Sequence, residues 1–262
     1  MAAGKRRALG QHFLRDPGIA RAIVDLVAPT ERDLVVEIGP GQGALTVELA
    51  RRGGRLIALE VDPGLIEPLR RRLPEIEIQH ADARGWDYGA LARPAGGRVL
   101  VVGNLPYSVS KPIVTALQTA RRSIDVMALM LQREVAERLA APPGGKVYGA
   151  LSVLTQAGCY VELALRVPPG AFRPPPQVDS AVVRLRPRPE SRVPEAMEGR
   201  FRDVVRAAFG RRRKTLPNAL SEGLHVPLGQ AREATARAGL DPARRAETLT
   251  IQEFVALTAQ LS

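Results

Sequence analysis

Four consecutive residues, Asn104, Leu105, Pro106 and Tyr107, follow an apolar run and have the types and spacing to act together on one substrate group. The Asn104 side-chain oxygen and the Leu105 carbonyl are two hydrogen-bond acceptors, and Pro106 restricts the backbone around them. Two acceptors aimed at both N–H bonds of an aromatic amino group favour tetrahedral geometry, which makes its nitrogen more nucleophilic. Tyr107 supplies a ring face on which a base can stack. These residues predict methyl transfer to an exocyclic adenine nitrogen, with orientation and acceptor placement supplying the rate.

A glycine-rich segment, EIGPGQGAL (37–45), lies between a short apolar run and a segment with helical spacing. Glycines at positions 39, 41 and 43 allow the backbone to turn tightly and to approach a ligand. The spacing also fits the dinucleotide-binding fingerprint if Ala44 is its third small residue. Alone, the segment is also compatible with a tight turn that binds nothing.

Two acidic residues at the ends of the next two predicted strands favour a nucleoside ligand. Glu60 ends the second strand, where an acid that binds both ribose hydroxyls is expected. Asp82 ends the third strand, where a carboxylate can accept a hydrogen bond from an adenine amino group. Either acid alone could merely cap the following turn. Together they predict an adenosine across the carboxyl edge of the sheet, which fits NAD and S-adenosylmethionine equally.

These residues require a sheet to bring them together, and the chain alternates strands with helices in the way such a sheet needs. Apolar periodicity predicts strands at 34–39, 55–62, 76–82, 98–104 and 125–132, and helices at 19–28, 44–52, 64–73, 110–122 and 133–141. This alternation predicts a doubly wound, mostly parallel α/β sheet with right-handed crossovers. Residues 148–188 are expected to extend it, with 159–167 and 178–188 as antiparallel strands.

A Pro-rich, charged run at 186–195 is typical of a linker. We therefore expect a ligand-binding α/β domain at 1–188 and a small all-helical domain at 189–262, with the chain as a monomer.

Composition narrows the function further. The 262 residues carry 38 Lys or Arg against 27 Asp or Glu, a formal net charge of +11, which favours a polyanionic partner. The single cysteine excludes an intrachain disulfide, and the three histidines show no metal-ligand spacing, so no metal is expected. A basic amino-terminal segment without an apolar core and the lack of a long apolar run favour a cytoplasmic protein.

The chain closely resembles the KsgA family of bacterial small-subunit (16S) rRNA adenine dimethyltransferases. The resemblance rests on long motifs spread over almost the whole chain: LGQHFL (9–14), EIGPGQGALT (37–46), LEVD (59–62), DA (82–83), GNLPYSVSKP (103–112), MLQREVAERL (130–139), AFRPPPQVDSAVVRL (171–185), FGRRRKTLPNAL (209–220) and RAETLT (245–250). It implies a Rossmann-like methyltransferase domain that transfers methyl groups from S-adenosylmethionine to N6 of two adjacent adenosines near the 3′ end of small-subunit rRNA, late in subunit assembly.

The resemblance also implies roles for individual residues. The predicted cofactor contacts are His12, Leu14, Gly39, Gly41, Glu60, Asp82, Ala83 and Asn104. The predicted catalytic set is Asn104, Leu105, Pro106 and Tyr107, with Phe172 as a second wall for a flipped adenine. One position departs from the family, which usually carries Asn where His12 stands; His retains the ability to form one hydrogen bond there.

The positive charge is concentrated in the second half of the chain. Residues 166–217 contain 13 Lys or Arg and five Asp or Glu, and the densest cluster is Arg211, Arg212, Arg213 and Lys214. A second cluster is Lys5, Arg6 and Arg7. We expect the cluster at 211–214 to bind RNA phosphates.

Three alternatives stay open at this stage. One is a resistance methyltransferase of large-subunit rRNA, which shares the Asn104–Tyr107 motif, although 171–185 and 209–220 favour the small-subunit branch. Another is a non-catalytic assembly or transcription factor on the same fold. The third is an NAD-dependent dehydrogenase, which explains the glycines and Glu60 but neither the Asn104–Tyr107 turn nor the basic second half.

Overall fold

The computed structural model describes residues 12–211 and 213–261, and the predicted basic residues Lys5, Arg6, Arg7 and Arg212 lie outside them. Within that part of the chain the strands are β1 (Phe13–Leu14), β2 (Leu34–Ile38), β3 (Arg55–Glu60), β4 (Glu77–His80), β5 (Val99–Asn104), β6 (Val126–Gln132), β7 (Cys159–Val167), β8 (Phe172–Arg173) and β9 (Ser180–Pro187).

The helices alternate with these strands in the first half of the chain and dominate the second half. They are α1 (Pro17–Val27), α2 (Ala44–Ala50), α3 (Pro63–Arg72), α4 (Ser110–Thr119), α5 (Arg133–Ala140), α6 (Ala150–Gly158), α7 (Glu198–Gly210), α8 (Leu216–Leu224), α9 (Leu228–Arg237) and α10 (Ile251–Ala259). Among the described residues, none of these helices combines the length and the apolar composition needed to cross a bilayer.

Seven of the described strands form one sheet in the order β4-β3-β2-β5-β6-β9-β7. The pairs β3–β4, β2–β3, β2–β5 and β5–β6 are parallel, and β9 pairs with β6 in the antiparallel direction. The chain therefore runs outward from β2 to β4 and returns to β5 on the other side of β2. This reversal opens a crevice at the carboxyl ends of β2 and β5, where ligands of such sheets bind. The predicted doubly wound, mostly parallel fold is confirmed.

The same tripeptide, Asp-Pro-Gly, begins two of the helices. The carboxylate of Asp16 accepts hydrogen bonds from the backbone N–H groups of Gly18 and Ile19 at the start of α1, and Asp62 accepts one from Gly64 at the start of α3. Each carboxylate satisfies N–H groups that have no partner within the helix, and proline in the first turn sacrifices none. The Asp62 cap places the start of α3 directly after Glu60.

The described residues divide into two compact units. One holds the chain up to Ala136 together with Val161–Pro187, and the other holds Glu137–Tyr160 and the residues from Arg188 onward. The second unit is built around α6–α10, and Gly223 of α8 lies so close to α7 that a Cβ atom there would come within 2.6 Å of the Ala207 Cα.

The two compact units differ from the predicted domains in one segment. The predicted boundary after residue 188 assigns 137–160 to the α/β domain, whereas the structure groups Glu137–Tyr160 with the helical unit. The reason is packing, because Tyr148, Val153 and Ala157 are buried in the same apolar cluster as Phe201 and Phe254.

Candidate active site at the sheet edge

An open cavity of 280 Å³ lies at the carboxyl ends of β2, β3, β4 and β5. Every predicted cofactor contact lines it, namely His12, Leu14, Gly39, Gly41, Glu60, Asp82, Ala83 and Asn104. Leu105, Pro106 and Tyr107 of the predicted catalytic set line it as well, but Phe172 does not. The sheet topology thus gathers into one cavity residues from segments that are distant in the sequence.

The glycine-rich loop after β2 is fixed by a carboxylate from the next strand. Gly41 has a φ of +56°, and a Cβ atom at this position would lie 2.9 Å from Phe13, so both conformation and space require glycine. Its backbone N–H donates to Oε2 of Glu60 at 3.1 Å. The loop and the acid at the end of β3 therefore hold each other in place at the cavity wall.

Glu60 is almost fully buried and its carboxylate is oriented by three backbone donors. Besides Gly41, the N–H groups of Val61 and Asp62 both donate to Oε1 at 2.9 Å. Burial raises the pKa of Glu60, and the hydrogen bonds from Asp62, Gly41 and Val61 oppose this rise. A carboxylate has about four acceptor positions, so Glu60 keeps one, on Oε2, for a further donor such as a ribose hydroxyl.

Glu37, on β2, is a second buried carboxyl group at the cavity. It is 1% exposed, and its Oε2 has no hydrogen-bond partner among the described residues. Burial raises the pKa of Glu37 to about 8. An unpartnered buried oxygen is costly unless a ligand satisfies it, so Glu37 marks a position for a cationic or donor group. Glu37 was not among the predicted site residues, although it is the first residue of the glycine-rich segment 37–45.

Asp82 lies two residues after the end of β4 and is engaged by Arg84, which was not among the predicted site residues. The Arg84 guanidinium approaches both carboxylate oxygens, with Nε 3.0 and 2.9 Å from them and Nη2 2.5 Å from Oδ2. This contact holds the pKa of Asp82 below its usual range. An adenine amino group at Asp82 must therefore share the carboxylate with Arg84.

The Asn104 amide is oriented by the backbone of a distant segment. Its Nδ2 donates to the His12 carbonyl at 2.9 Å. The His12 carbonyl can accept a hydrogen bond only from Nδ2 of the Asn104 amide. Oδ1 of Asn104 is therefore the amide atom that remains available to the cavity. Pro106 follows with φ −58° and ψ 130°, the restricted geometry predicted for it.

Tyr107 begins a short helical turn and is held from two sides. Its ring centroid lies 5.4 Å from that of His12, with the two planes tilted by 36°. At the other end of the ring, the hydroxyl of Tyr107 shares a hydrogen bond of 2.6 Å with the Ser180 hydroxyl. Burial raises the pKa of Tyr107, so the phenol stays protonated at neutral pH. Ser180 is, after Glu37 and Arg84, the third residue at the site that was not predicted from the sequence.

Phe172 occupies a different place from the one expected. It is 4% exposed, belongs to the apolar core and lies opposite Leu14 in the two-stranded pairing of β1 with β8. The same pairing brings Pro174 near His12, whose Nδ1 lies 2.9 Å from the Pro174 carbonyl. In this structure Phe172 pairs with β1, whose residues Phe13 and Leu14 line the cavity, and its predicted stacking on adenine stays a prediction.

The predicted RNA-binding cluster lies in the helical unit, between α7 and α8. Arg211, Arg213 and Lys214 are exposed. Arg211 Nε donates to Glu222 Oε2 at 2.8 Å, and Lys214 donates to the other oxygen of the same carboxylate. Glu222 thus partly neutralises the cluster, which no short sequence pattern indicated.

A model of the family described as ribosomal RNA adenine dimethylase matches residues 2–262. The chain belongs to this family. Membership confirms the predicted resemblance and the predicted enzyme class, and it leaves the NAD-dependent dehydrogenase alternative without support.

Curated relatives cover nearly the full length of the chain. A Xylella fastidiosa protein named ribosomal RNA small subunit methyltransferase A is 45% identical over 258 residues, covering 97% of this chain and 95% of the relative. A Xanthomonas euvesicatoria protein with the same name is 47% identical over 262 residues, covering 98% and 96%. The names of these relatives agree with the small-subunit branch.

Solved structures agree with the fold along the whole chain. A dimethyladenosine transferase from Plasmodium falciparum superposes with a TM-score of 0.79 at 26% identity, covering 94% of this chain and 96% of that one. The 23S rRNA methyltransferase ErmE superposes with a TM-score of 0.69 at 28% identity, covering 95% and 99%. The Rossmann-like methyltransferase fold with a helical carboxyl-terminal region is therefore confirmed.

Proposed function

We propose that this chain transfers methyl groups from S-adenosylmethionine to N6 of two adjacent adenosines near the 3′ end of small-subunit rRNA, late in subunit assembly. The observation that carries the proposal is the hydrogen bond from Asn104 Nδ2 to the His12 carbonyl. This bond turns Oδ1 towards the cavity, where an acceptor is needed for an adenine amino group.

The cavity has the donor and acceptor groups that S-adenosylmethionine requires. Glu60, held by three backbone N–H groups, suits a hydroxyl of the ribose. Glu37 Oε2, buried without a partner among the described residues, suits the ammonium group of the methionine part. Asp82 suits the adenine amino group while sharing its carboxylate with Arg84. When bound, this cofactor supplies an electrophilic sulfonium methyl group.

The residues at the end of β5 then hold the target amino group. In the first transfer Asn104 Oδ1 and the Leu105 carbonyl each accept one N–H of the substrate N6, which directs the nitrogen lone pair towards the methyl group. In the second transfer N6 has one N–H left, and one of the two acceptors holds it. The fixed dihedrals of Pro106 keep the two acceptors in place without reorganisation during the reaction. The methylated nitrogen is cationic and acidic, so it loses its proton to water and needs no strong base.

Tyr107 provides the stacking surface for the adenine. A base on an aromatic face gains roughly 1–3 kcal/mol by stacking, and that energy offsets part of the cost of extruding it from its neighbours. His12, which stands where the family usually has Asn, contacts the Tyr107 ring and the Pro174 carbonyl. We assign it a supporting role at the wall of the cavity, together with Leu14.

The basic residues at 211–214 are proposed to contact RNA phosphates in the assembling small subunit, with the protein acting as a monomer in the cytoplasm. Support comes from the exposure of Arg211, Arg213 and Lys214. Small-subunit rRNA is favoured over large-subunit rRNA because the curated relatives that cover the chain carry the small-subunit name.

The deciding experiment is methylation of purified precursor small subunits with labelled cofactor, followed by mapping of the modified bases. We expect N6,N6-dimethyladenosine at two adjacent positions near the 3′ end. The control is the same reaction on precursor large subunits. Product confined to large-subunit RNA would assign the chain to the resistance-methyltransferase branch, and cofactor binding without transfer to either subunit would favour a non-catalytic assembly factor.

A further inference from the structure

The hydroxyl groups of Tyr107 and Ser180 form a contact whose place in the fold suggests a role beyond stability. They lie 2.6 Å apart, although 73 positions separate the two residues in the sequence. Ser180 is fully buried at the start of β9, where it pairs in register with Gln132 at the end of β6. One end of the Tyr107 ring is therefore bonded to a buried residue of the main sheet.

The rest of Tyr107 is less constrained. Its backbone lies in a short turn at Tyr107–Val109, its side chain is half-buried, and the residue lines the cavity. Ser110 Oγ donates to the Tyr107 backbone carbonyl, which fixes the main chain but not the ring. The hydroxyl oxygen lies on the χ2 axis of the ring, so the bond to Ser180 restricts rotation about χ1, whereas the neighbouring His12 ring restricts rotation about χ2.

Rotation about χ1 matters because it swings the whole ring and, with it, the plane of an adenine stacked on the ring. A tilt of that plane moves N6 relative to the two acceptors, Asn104 Oδ1 and the Leu105 carbonyl. A displacement of about 1 Å at a reacting atom can cost on the order of 100-fold in rate. A group that fixes the ring angle therefore affects the methyl-transfer step without touching the base or the cofactor.

We propose that Ser180 is a positioning residue for methyl transfer, acting through its hydrogen bond to Tyr107 to fix the plane on which the target adenine stacks. This inference rests on the proposed function, because it assigns Tyr107 to the target base. It predicts that the two hydroxyl groups act as one unit in catalysis. Removing either one should have the same effect as removing both.

The test is a double-mutant cycle with Ser180→Ala, Tyr107→Phe and the double variant, each of which keeps the aromatic ring. The measurements are kcat and KM on precursor small subunits, the equilibrium Kd of the cofactor, and the thermal midpoint of unfolding. Each single variant should lose about tenfold in kcat, the loss expected when one positioning hydrogen bond is removed. The double variant should lose no more than the worse single one, and the cofactor Kd should stay within about twofold.

Ser152→Ala is the matched control. Ser152 is also fully buried and donates its hydroxyl to a backbone carbonyl, that of Arg138, in the helical unit. This variant should lower the thermal midpoint and leave kcat unchanged. If Ser180→Ala does not fold, Ser180→Cys replaces it, since a thiol keeps the volume but forms a much weaker hydrogen bond.

The outcomes separate this inference from the function on which it rests. Wild-type protein that fails to methylate N6 of adenine would reject the proposed function itself. With an active wild type, unchanged kcat in Ser180→Ala overturns the positioning role. An equal loss from Ser180→Ala whether or not the chain also carries Tyr107→Phe overturns it too, because the effect would not pass through the hydroxyl of Tyr107.

Discussion

The side chain of Asn104 is hydrogen-bonded to the backbone of His12, with 2.9 Å between Nδ2 and the carbonyl oxygen. The residues are 92 positions apart, and the bond spans the gap between the end of β5 and the start of β1. It determines which polar atom of the amide faces the cavity. The residue before β1 therefore orients the amide of Asn104, the proposed acceptor for the target amino group, through its main chain, whatever side chain stands at position 12.

Asn104→Ala should reduce methyl transfer far more than cofactor binding. The variant removes one of the two acceptors for N6, and loss of one preorganised polar group of this kind costs roughly 100- to 1,000-fold in kcat. The measurement is single-turnover methylation of precursor small subunits beside a cofactor titration. Normal turnover in this variant would contradict the role of Asn104.

Asn104→Asp tests separately whether the hydrogen bond from Asn104 to the His12 carbonyl is needed. It keeps the size and one acceptor oxygen but directs a second oxygen at the His12 carbonyl, which repels it. We therefore expect Asn104→Asp to be as impaired in kcat as the alanine variant. Activity near the wild-type level would show that the donor to His12 is dispensable.

Glu60→Gln should weaken cofactor binding more than it slows the methyl-transfer step. Three backbone N–H groups donate to the two oxygens of Glu60. In the glutamine variant one oxygen is replaced by an NH2 group, which is a donor and would be pointed at another donor. Loss of a charged acceptor corresponds to about a 10- to 100-fold higher Kd. Isothermal titration with S-adenosylmethionine measures this change, and an unaltered Kd would reject the ribose assignment.

Glu37→Gln should stabilise the free protein at neutral and alkaline pH and not at acidic pH. The folded pKa of Glu37 is about 8, against 4.5 for an unperturbed glutamate. The unfolded chain therefore releases its proton first, and the wild-type free energy of unfolding decreases between pH 4.5 and pH 8, by at most about 1.4 kcal/mol per pH unit. Denaturant melts at pH 5 and pH 8 measure the difference, and a constant offset between the variants would contradict it.

The same substitution should change the pH dependence of cofactor binding. A ligand ammonium beside Glu37 favours the ionised carboxylate, so binding releases a proton and becomes tighter as the pH rises towards 8. Glu37→Gln cannot release this proton. Its Kd should be higher and nearly independent of pH over that interval, which titration in buffers of different ionisation enthalpy can test.

The sequence predicted those parts of the site that are marked by a short pattern of neighbouring residues. The glycine loop, the acids at strand ends and the Asn104–Tyr107 turn each stand at a visible change from apolar strand to polar residue. Because the carboxyl ends of parallel strands share one edge, the α/β pattern was sufficient to bring them together. The cavity lining confirms that they meet.

The remaining parts depend on contacts between distant segments, which one sequence does not reveal. Ser180 looks like an ordinary strand residue in the sequence, and only the sheet order places it beside Tyr107. Phe172 stands before three prolines and was expected at the cavity wall, yet its pairing opposite Leu14 buries it in the core. The segment Glu137–Tyr160 continues the α/β alternation, and only its packing groups it with the helical unit.

Glu222→Gln should strengthen binding to the precursor subunit, in contrast to most substitutions of charged residues. Its carboxylate pairs with Arg211 and Lys214, two members of the predicted RNA-binding cluster, so phosphate groups must compete with it. Without this competition, Kd should fall and the salt dependence of binding should steepen, because more counterions are released when both cations meet phosphate. Arg211→Gln and Lys214→Gln should weaken binding and flatten its salt dependence.

Glu233→Gln is the control, since Glu233 pairs with Arg237 on α9 and its removal changes the net charge equally. Equal gains from Glu222→Gln and Glu233→Gln would mean that general charge, and not this cluster, governs binding to RNA.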